Sequence, residues 1–210
     1  MKVESQGEVA NALTHGVGSI FSLLALLGMV MVAVQHGSPR HVVGAAIFGA
    51  TLVLLYLMST LYHSFKDPGV KRVFRVLDHS AIFFLIAGTY TPFCLVSLWG
   101  PWGWSVLAAI WGLAILGVTF KAFFGPRHPG LSLAIYLAMG WLVVVAAVPL
   151  FRALPRPGIF WLFGGGLFYT GGTAFYVWRN LKFHHAIWHL CVLGGSACHV
   201  AAVMGSVLPH

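Results

Sequence analysis

Five residues carry most of the chemistry legible in this sequence: Ser59 and His63 in "STLYH", Asp78 in "LDHSAI", and His185 and His189 in "HHAIWHL". His185 and His189 are four residues apart, so on a helix their imidazoles share one face, one turn apart, and can bind a single metal ion. A third imidazole from another helix, His63, completes the three-protein-ligand set that leaves zinc's fourth position open for water. Ser59 and His63 repeat the i, i+4 spacing on their own helix. A catalytic zinc lowers the pKa of its water to about 7 and polarises a carbonyl oxygen. Asp78 would take the proton from that water or hold the water in place, and Ser59 would hydrogen-bond a ligand or the water.

Each residue alone has a plainer role. A histidine near a helix end snorkels into the interface, an aspartate opening a helix caps it, and a serine within an apolar run bonds its own i−4 carbonyl. The case for a site is the coincidence of all five at one depth. That coincidence depends on the elements that position them.

Those elements belong in a membrane. Of 210 residues, 59% are hydrophobic and only 8% charged, against roughly 25% charged in soluble proteins, and the mean hydropathy is +0.89. A hydrocarbon core of about 30 Å needs about 20 helical residues. Seven runs meet that need: Val17–Val34, Val42–Tyr62, Ser80–Leu98, Trp104–Phe120, Leu131–Phe151, Ile159–Trp178 and Ala186–Leu208. The first is long for a signal-peptide core, and "VQHGSPR" after it offers no cleavage site, so it is expected to be a mature span. The expectation is an all-α membrane protein with seven transmembrane helices in a single domain, 1–210, with 1–16 as a short cytoplasmic N-terminal segment.

Orientation follows from basic residues. One set of alternate loops holds Lys2, Lys66, Lys71, Arg72, Arg75, Lys121, Arg127, Arg179 and Lys182, and the other only Arg40, Arg152 and Arg156. This asymmetry places the N-terminus in the cytoplasm and, after seven spans, the C-terminus outside. The formal charge of +8 therefore speaks of orientation and contact with anionic lipid, and nucleic acid is not an expected partner. None of the five chemical residues entered that count, yet it brings them all to the cytoplasmic ends of their spans.

Other polar residues have less company. Cys94, Cys191 and Cys198 have neither an even count nor a CxxC spacing and read as packing. His79, His128 and His184 stand apart, and His199 lies deeper in the last span. Fourteen residues separate His185 from His199, about 21 Å along a helix, and no facing span supplies the matching pair that a bis-histidine haem requires. Glu8, Asn11 and His15 share one helical face, which is expected to be that of a short interfacial helix.

The stretches "EVANALTHGVG", "STLYH", "LDHSAIFFLIAGTYTPF" and "HAIWHLCV", in this order among seven spans, closely resemble the hemolysin III family, the bacterial branch of the progestin and adipoQ receptor family. The resemblance covers nearly the whole chain. It implies a seven-helix fold with a cytoplasmic N-terminus and a zinc held at that side by His63, His185 and His189, with Ser59 and Asp78 on the family's serine and aspartate. Animal receptor members are associated with hydrolysis of ceramide-like amide lipids, and the family name implies cytolysis.

Two readings follow for a multi-pass protein of the cell membrane whose partners are membrane lipids. One is a zinc-dependent hydrolase of lipid amide or ester bonds, with Asp78 and Ser59 in catalysis and the lipid substrate lodged in the helix bundle. The other is a non-enzymatic sensor of membrane state, or a pore-forming cytolysin, with a structural zinc. A structural site would be closed by a fourth protein ligand, so the contact made by Asp78 separates them.

Overall fold

A computed structural model describes residues 2–124 and 128–209, with side chains from Gln6 onward. Arg127 and the Lys2 side chain, both in the basic tally, lie outside the described parts. The described residues are helical, without a strand. The order is α1 (Lys2–His36), α2 (Pro39–Ser64), α3 (Pro68–Pro92) running into a π-helical turn (Phe93–Ser97), and α4 (Pro101–Phe124). Then come α5 (Pro129–Gly140), a 3-10 segment (Trp141–Ala146), α6 (Ala147–Ala153), α7 (Arg156–Val177) and α8 (His184–Ser206).

Proline sits in the first turn of α2, α3, α5 and α7, where its missing N–H costs no hydrogen bond. Asp67 caps α3 by accepting a hydrogen bond from the Val70 N–H at 2.8 Å. Asp78 is thus not a cap: α3 begins ten residues earlier, and the basic stretch around Lys71, Arg72 and Arg75, expected as loop, forms its first turns. Nor is there a separate interfacial helix. Glu8, Asn11 and His15 belong to the continuous α1, and Asn11 and His15 are buried.

Among the described residues six stretches are long and apolar enough to cross a membrane: Gln6–His36, Pro39–Ser64, Pro68–Ser97, Pro101–Phe124, Pro129–Ala153 and His184–Ser206. The remaining long helix, α7, has 22 residues. Gly164, Gly165, Gly166, Gly171 and Gly172 dilute its apolarity. Large apolar side chains such as Ile20, Leu24, Met31, Ile115, Leu116 and Leu167 point outward. Lipid, not water, is the medium suited to that surface.

The helix α1 packs along α2 and also touches α8; α2 lies along α3, α3 along α4, and α7 along α8. Close approach depends on absent side chains. A Cβ on Gly88 of α3 would strike the Thr51 hydroxyl of α2, and one on Gly49 would strike Leu26 of α1. The α5–α6 rod breaks upstream of Pro149, whose ring cannot donate to the Val145 carbonyl, so the preceding turn tightens to 3-10 geometry. Tyr90 of α3 stitches the break: its hydroxyl accepts from the Val143 N–H at 2.7 Å and donates toward the Met139 and Gly140 carbonyls at 2.9 and 2.8 Å.

The α2–α3 contact predicts the behaviour of Gly88→Val. Overpacking should lower stability by about 1–3 kcal/mol, and Thr51→Ala in the same chain should recover part of it. Thermal unfolding of both variants in detergent checks this, and a Gly88→Val protein as stable as wild type would contradict the packing.

Candidate metal centre

The C-terminal end of α2 carries Ser59 and His63, the third turn of α3 carries Asp78, and the first turns of α8 carry His185 and His189. The chain enters α8 through Phe183 in the left-handed region at φ 58°. A bulky residue is strained there. The strain is tolerated where it starts α8 soon after α7 ends and turns its first histidines inward.

His63, His185 and His189 each present a ring nitrogen, and the three atoms lie within 4.8 Å of one another. His63 and His189 are buried and His185 is half-buried. The rings meet obliquely, with centroids 5.2 Å apart for His63 with either partner and 4.6 Å for His185 with His189. Obliquely converging rings aim lone pairs at a common point.

The opposite ring atoms are already committed, and α1 commits them. His63 Nδ1 lies 3.1 Å from the Glu8 carboxylate and 3.5 Å from the Asn11 amide. His189 Nδ1 lies 3.1 Å from the Thr14 hydroxyl and 3.3 Å from the Asn11 carbonyl. A proton on Nδ1 satisfies the Glu8 carboxylate and the Asn11 carbonyl, which leaves Nε2 as the bare acceptor on both rings. Both Nε2 atoms are buried without a hydrogen-bond partner. Buried polar atoms are seldom left so, and a metal ion among three imidazoles would satisfy them. The residues therefore fit a divalent ion of the kind that prefers nitrogen donors.

Around this triangle His15 stacks on His189 with ring centroids 3.5 Å apart, and the Lys71 ammonium holds the Glu8 carboxylate at 2.7 Å. Asp78 is not one of the mutually close donors. It lies within electrostatic reach of His63 and near the Ser59 hydroxyl. Of the other histidines, His184 bonds the Phe175 carbonyl at 3.0 Å, His128 faces the Phe120 ring, and His199 bonds the Leu162 carbonyl at 3.1 Å.

Two cavities adjoin the centre. One, of about 340 Å³, is lined by His63, His185, Asp78 and a set of basic and phenolic residues. The other, of about 160 Å³, is almost wholly apolar. It runs from His15 and Asp78 past Ile86 and Phe93 to Leu98 and Leu150. Asp78, Ile82, Leu133, Tyr136 and Trp188 line both.

Of the five residues singled out, the three histidines present mutually close donors and Asp78 lines the cavities beside them, while Ser59 is buried one turn before His63 on α2. Those missed are Glu8, Asn11, Thr14 and His15. Their spacing on one face was visible, but nothing in the sequence shows that this face turns inward onto α2 and α8.

The chain belongs to the haemolysin-III related family, whose sequence pattern matches residues 3–200. It is 50% identical to hemolysin-3 of Bacillus cereus over 202 residues, covering 96% of this chain and 92% of that protein. It is 47% identical to a hemolysin-3 homolog of Bacillus subtilis strain 168 over 197 residues, 94% of this chain and 92% of the other. A more distant likeness, 28% over 200 residues, reaches the human monocyte to macrophage differentiation factor and covers 92% of this chain and 82% of that one. Together with its apolar helices, this makes the protein a multi-pass membrane protein of that family.

The hydrogen bond from His63 Nδ1 to Glu8 predicts a metal phenotype for a residue that is not a ligand. Loss of such an orienting carboxylate typically costs about 10–100-fold in metal affinity. Glu8→Gln should show that loss in competition against a chelator of known affinity, and an unchanged affinity would separate Glu8 from the centre.

Proposed function

We propose that this protein is a zinc-dependent membrane hydrolase that cleaves an amide or ester bond of a lipid held within a bundle of seven spans, with the N-terminus in the cytoplasm. The observation that carries the reading is the position of Asp78. It stands beside the histidine triangle, outside its donor set, where the polar and apolar cavities share walls. A scissile bond at Asp78 would have its acyl chain in the apolar cavity and its headgroup in the polar one.

His63, His185 and His189 would hold the ion. A zinc ion there supplies Lewis acidity to a carbonyl oxygen and to water. Asp78 accepts a proton as the water oxygen bonds to the carbonyl carbon, and returns it to the nitrogen or oxygen that leaves when the C–N or C–O bond breaks. The Ser59 hydroxyl, near Asp78, would orient the carboxylate for that transfer by donating a hydrogen bond to it. The Ile82, Leu85 and Phe93 side of the apolar cavity excludes competing water and favours an acyl chain.

The name hemolysin-3 carried by the relatives favours a second reading, a cytolysin with a structural ion. A structural zinc site is closed by four protein ligands, and among the described residues the donor group has three. That openness supports the hydrolase.

Asp78→Asn keeps shape and hydrogen-bonding reach but removes the basic carboxylate. Metal content should persist while turnover on amide or ester lipids falls by about 10²–10⁴-fold, the usual contribution of a general acid–base group. Metal stoichiometry, melting temperature and hydrolysis measured on one preparation check this. Full occupancy with unchanged turnover would remove Asp78 from catalysis, and a metal-loaded wild type inactive on every amide and ester lipid tried would overturn the hydrolase.

A further inference from the structure

The polar cavity holds more positive charge than the histidine centre uses. Lys121, in the last turn of α4, lines it while only 2% exposed. A buried ammonium is ordinarily paired. The chain has four acidic residues, and the described ones are engaged elsewhere. Glu8 is held by His63 and Lys71 at 3.1 and 2.7 Å, Asp67 caps α3, and Asp78 lies within electrostatic reach of His63. Among the described residues none forms a salt bridge with Lys121.

Arg75, three residues before Asp78 on α3, and Arg179, just beyond α7, line the same cavity, and Lys121 and Arg75 lie within range of each other's charge. The hydroxyl-bearing Tyr62 and Tyr176 line the cavity too. Snorkelling to the membrane surface accounts for exposed cations such as Arg75 and Arg179. It does not account for Lys121, which is buried and lies within range of a second cation's charge. Two carboxylates, Glu8 and Asp78, line the cavity as well, but among the described residues neither forms a salt bridge with Lys121, Arg75 or Arg179. Cations so left call for an anion with several acceptor oxygens, and phosphate meets that need with both guanidinium and ammonium groups.

We propose that this cavity binds the phosphate of a lipid headgroup through Lys121 and Arg75, with Arg179 at its mouth. The lipid cleaved beside Asp78 then carries its phosphate on the side of the scissile bond away from the acyl chain. The anion site stands on its own observations, whereas its place in a substrate rests on the hydrolase reading.

Titration calorimetry of the full-length, metal-loaded protein in an uncharged detergent tests it, with dodecyl phosphate, dodecanol and inorganic phosphate as probes. Wild type should bind dodecyl phosphate at least about 10-fold more tightly than dodecanol. Lys121→Gln and Arg75→Gln should each weaken dodecyl phosphate by about 10–100-fold, the usual range for a hydrogen bond to a charged group, and leave dodecanol unchanged. Arg40→Gln, at the opposite end of the bundle, should change neither. Arg75 is exposed, so its variant carries the test should Lys121→Gln fold poorly. Equal binding of the two chains, or an Arg75→Gln protein that behaves like Arg40→Gln, would overturn the anion site. Inorganic phosphate binding as tightly as dodecyl phosphate would assign the cavity to a free anion and overturn the lipid. Dodecyl phosphate has no acyl bond to cleave. A protein that binds it as expected, yet hydrolyses no phosphate-bearing amide or ester lipid, would overturn the substrate role and leave the anion site in place.

Discussion

An imidazole nitrogen buried without a partner costs about 1–3 kcal/mol, and this bundle brings two of them, on His63 and His189, to one point beside His185. The arrangement around them follows from that constraint. Two helices supply the histidines, and a third, α1, supplies Glu8, Asn11 and Thr14 to occupy the far side of each buried ring. The bare nitrogens are therefore selected by hydrogen bonding and held in place by the packing of α1 against α2 and α8. An ion that coordinates them would replace the missing partners and tie α2 to α8 at the end where α1 packs against both.

That end also joins two different solvents. On one side of Asp78 the lining is basic and phenolic, and on the other it is a nearly continuous run of Leu, Ile and aromatic side chains. An amphiphile is the molecule whose two halves match such a boundary. The loosely packed α5–α6 rod forms one wall of the apolar cavity through Leu133, Trp141 and Leu150. Its 3-10 break is held by the Tyr90 hydroxyl, so this wall is pinned at mid-length and lightly attached elsewhere.

Much of this was legible in the residues themselves. Hydropathy outlined the long helices, and the i, i+4 spacings of Ser59 with His63 and of His185 with His189 placed those side chains on faces that do converge. The α1 contribution was not legible. Glu8, Asn11 and His15 have the periodicity of a polar face, and periodicity alone does not distinguish a face turned to the interface from one turned onto neighbouring helices. The α3 boundary was missed because Pro68 after Asp67 reads as a turn, whereas Asp67 caps and Pro68 opens a helix whose first turns carry Lys71, Arg72 and Arg75. Lys121 resembled the other loop cations in composition, and only its burial sets it apart.

The account stands or falls on the coordination of the ion by this particular set of rings. X-ray absorption at the zinc edge on protein purified without chelators reads it most directly. Three imidazole nitrogens and one oxygen donor at about 2.0–2.1 Å, reduced in imidazole content by His63→Ala, His185→Ala or His189→Ala, are the predicted result. A metal-free protein, or a coordination shell containing sulfur near 2.3 Å or unchanged in those variants, would contradict it.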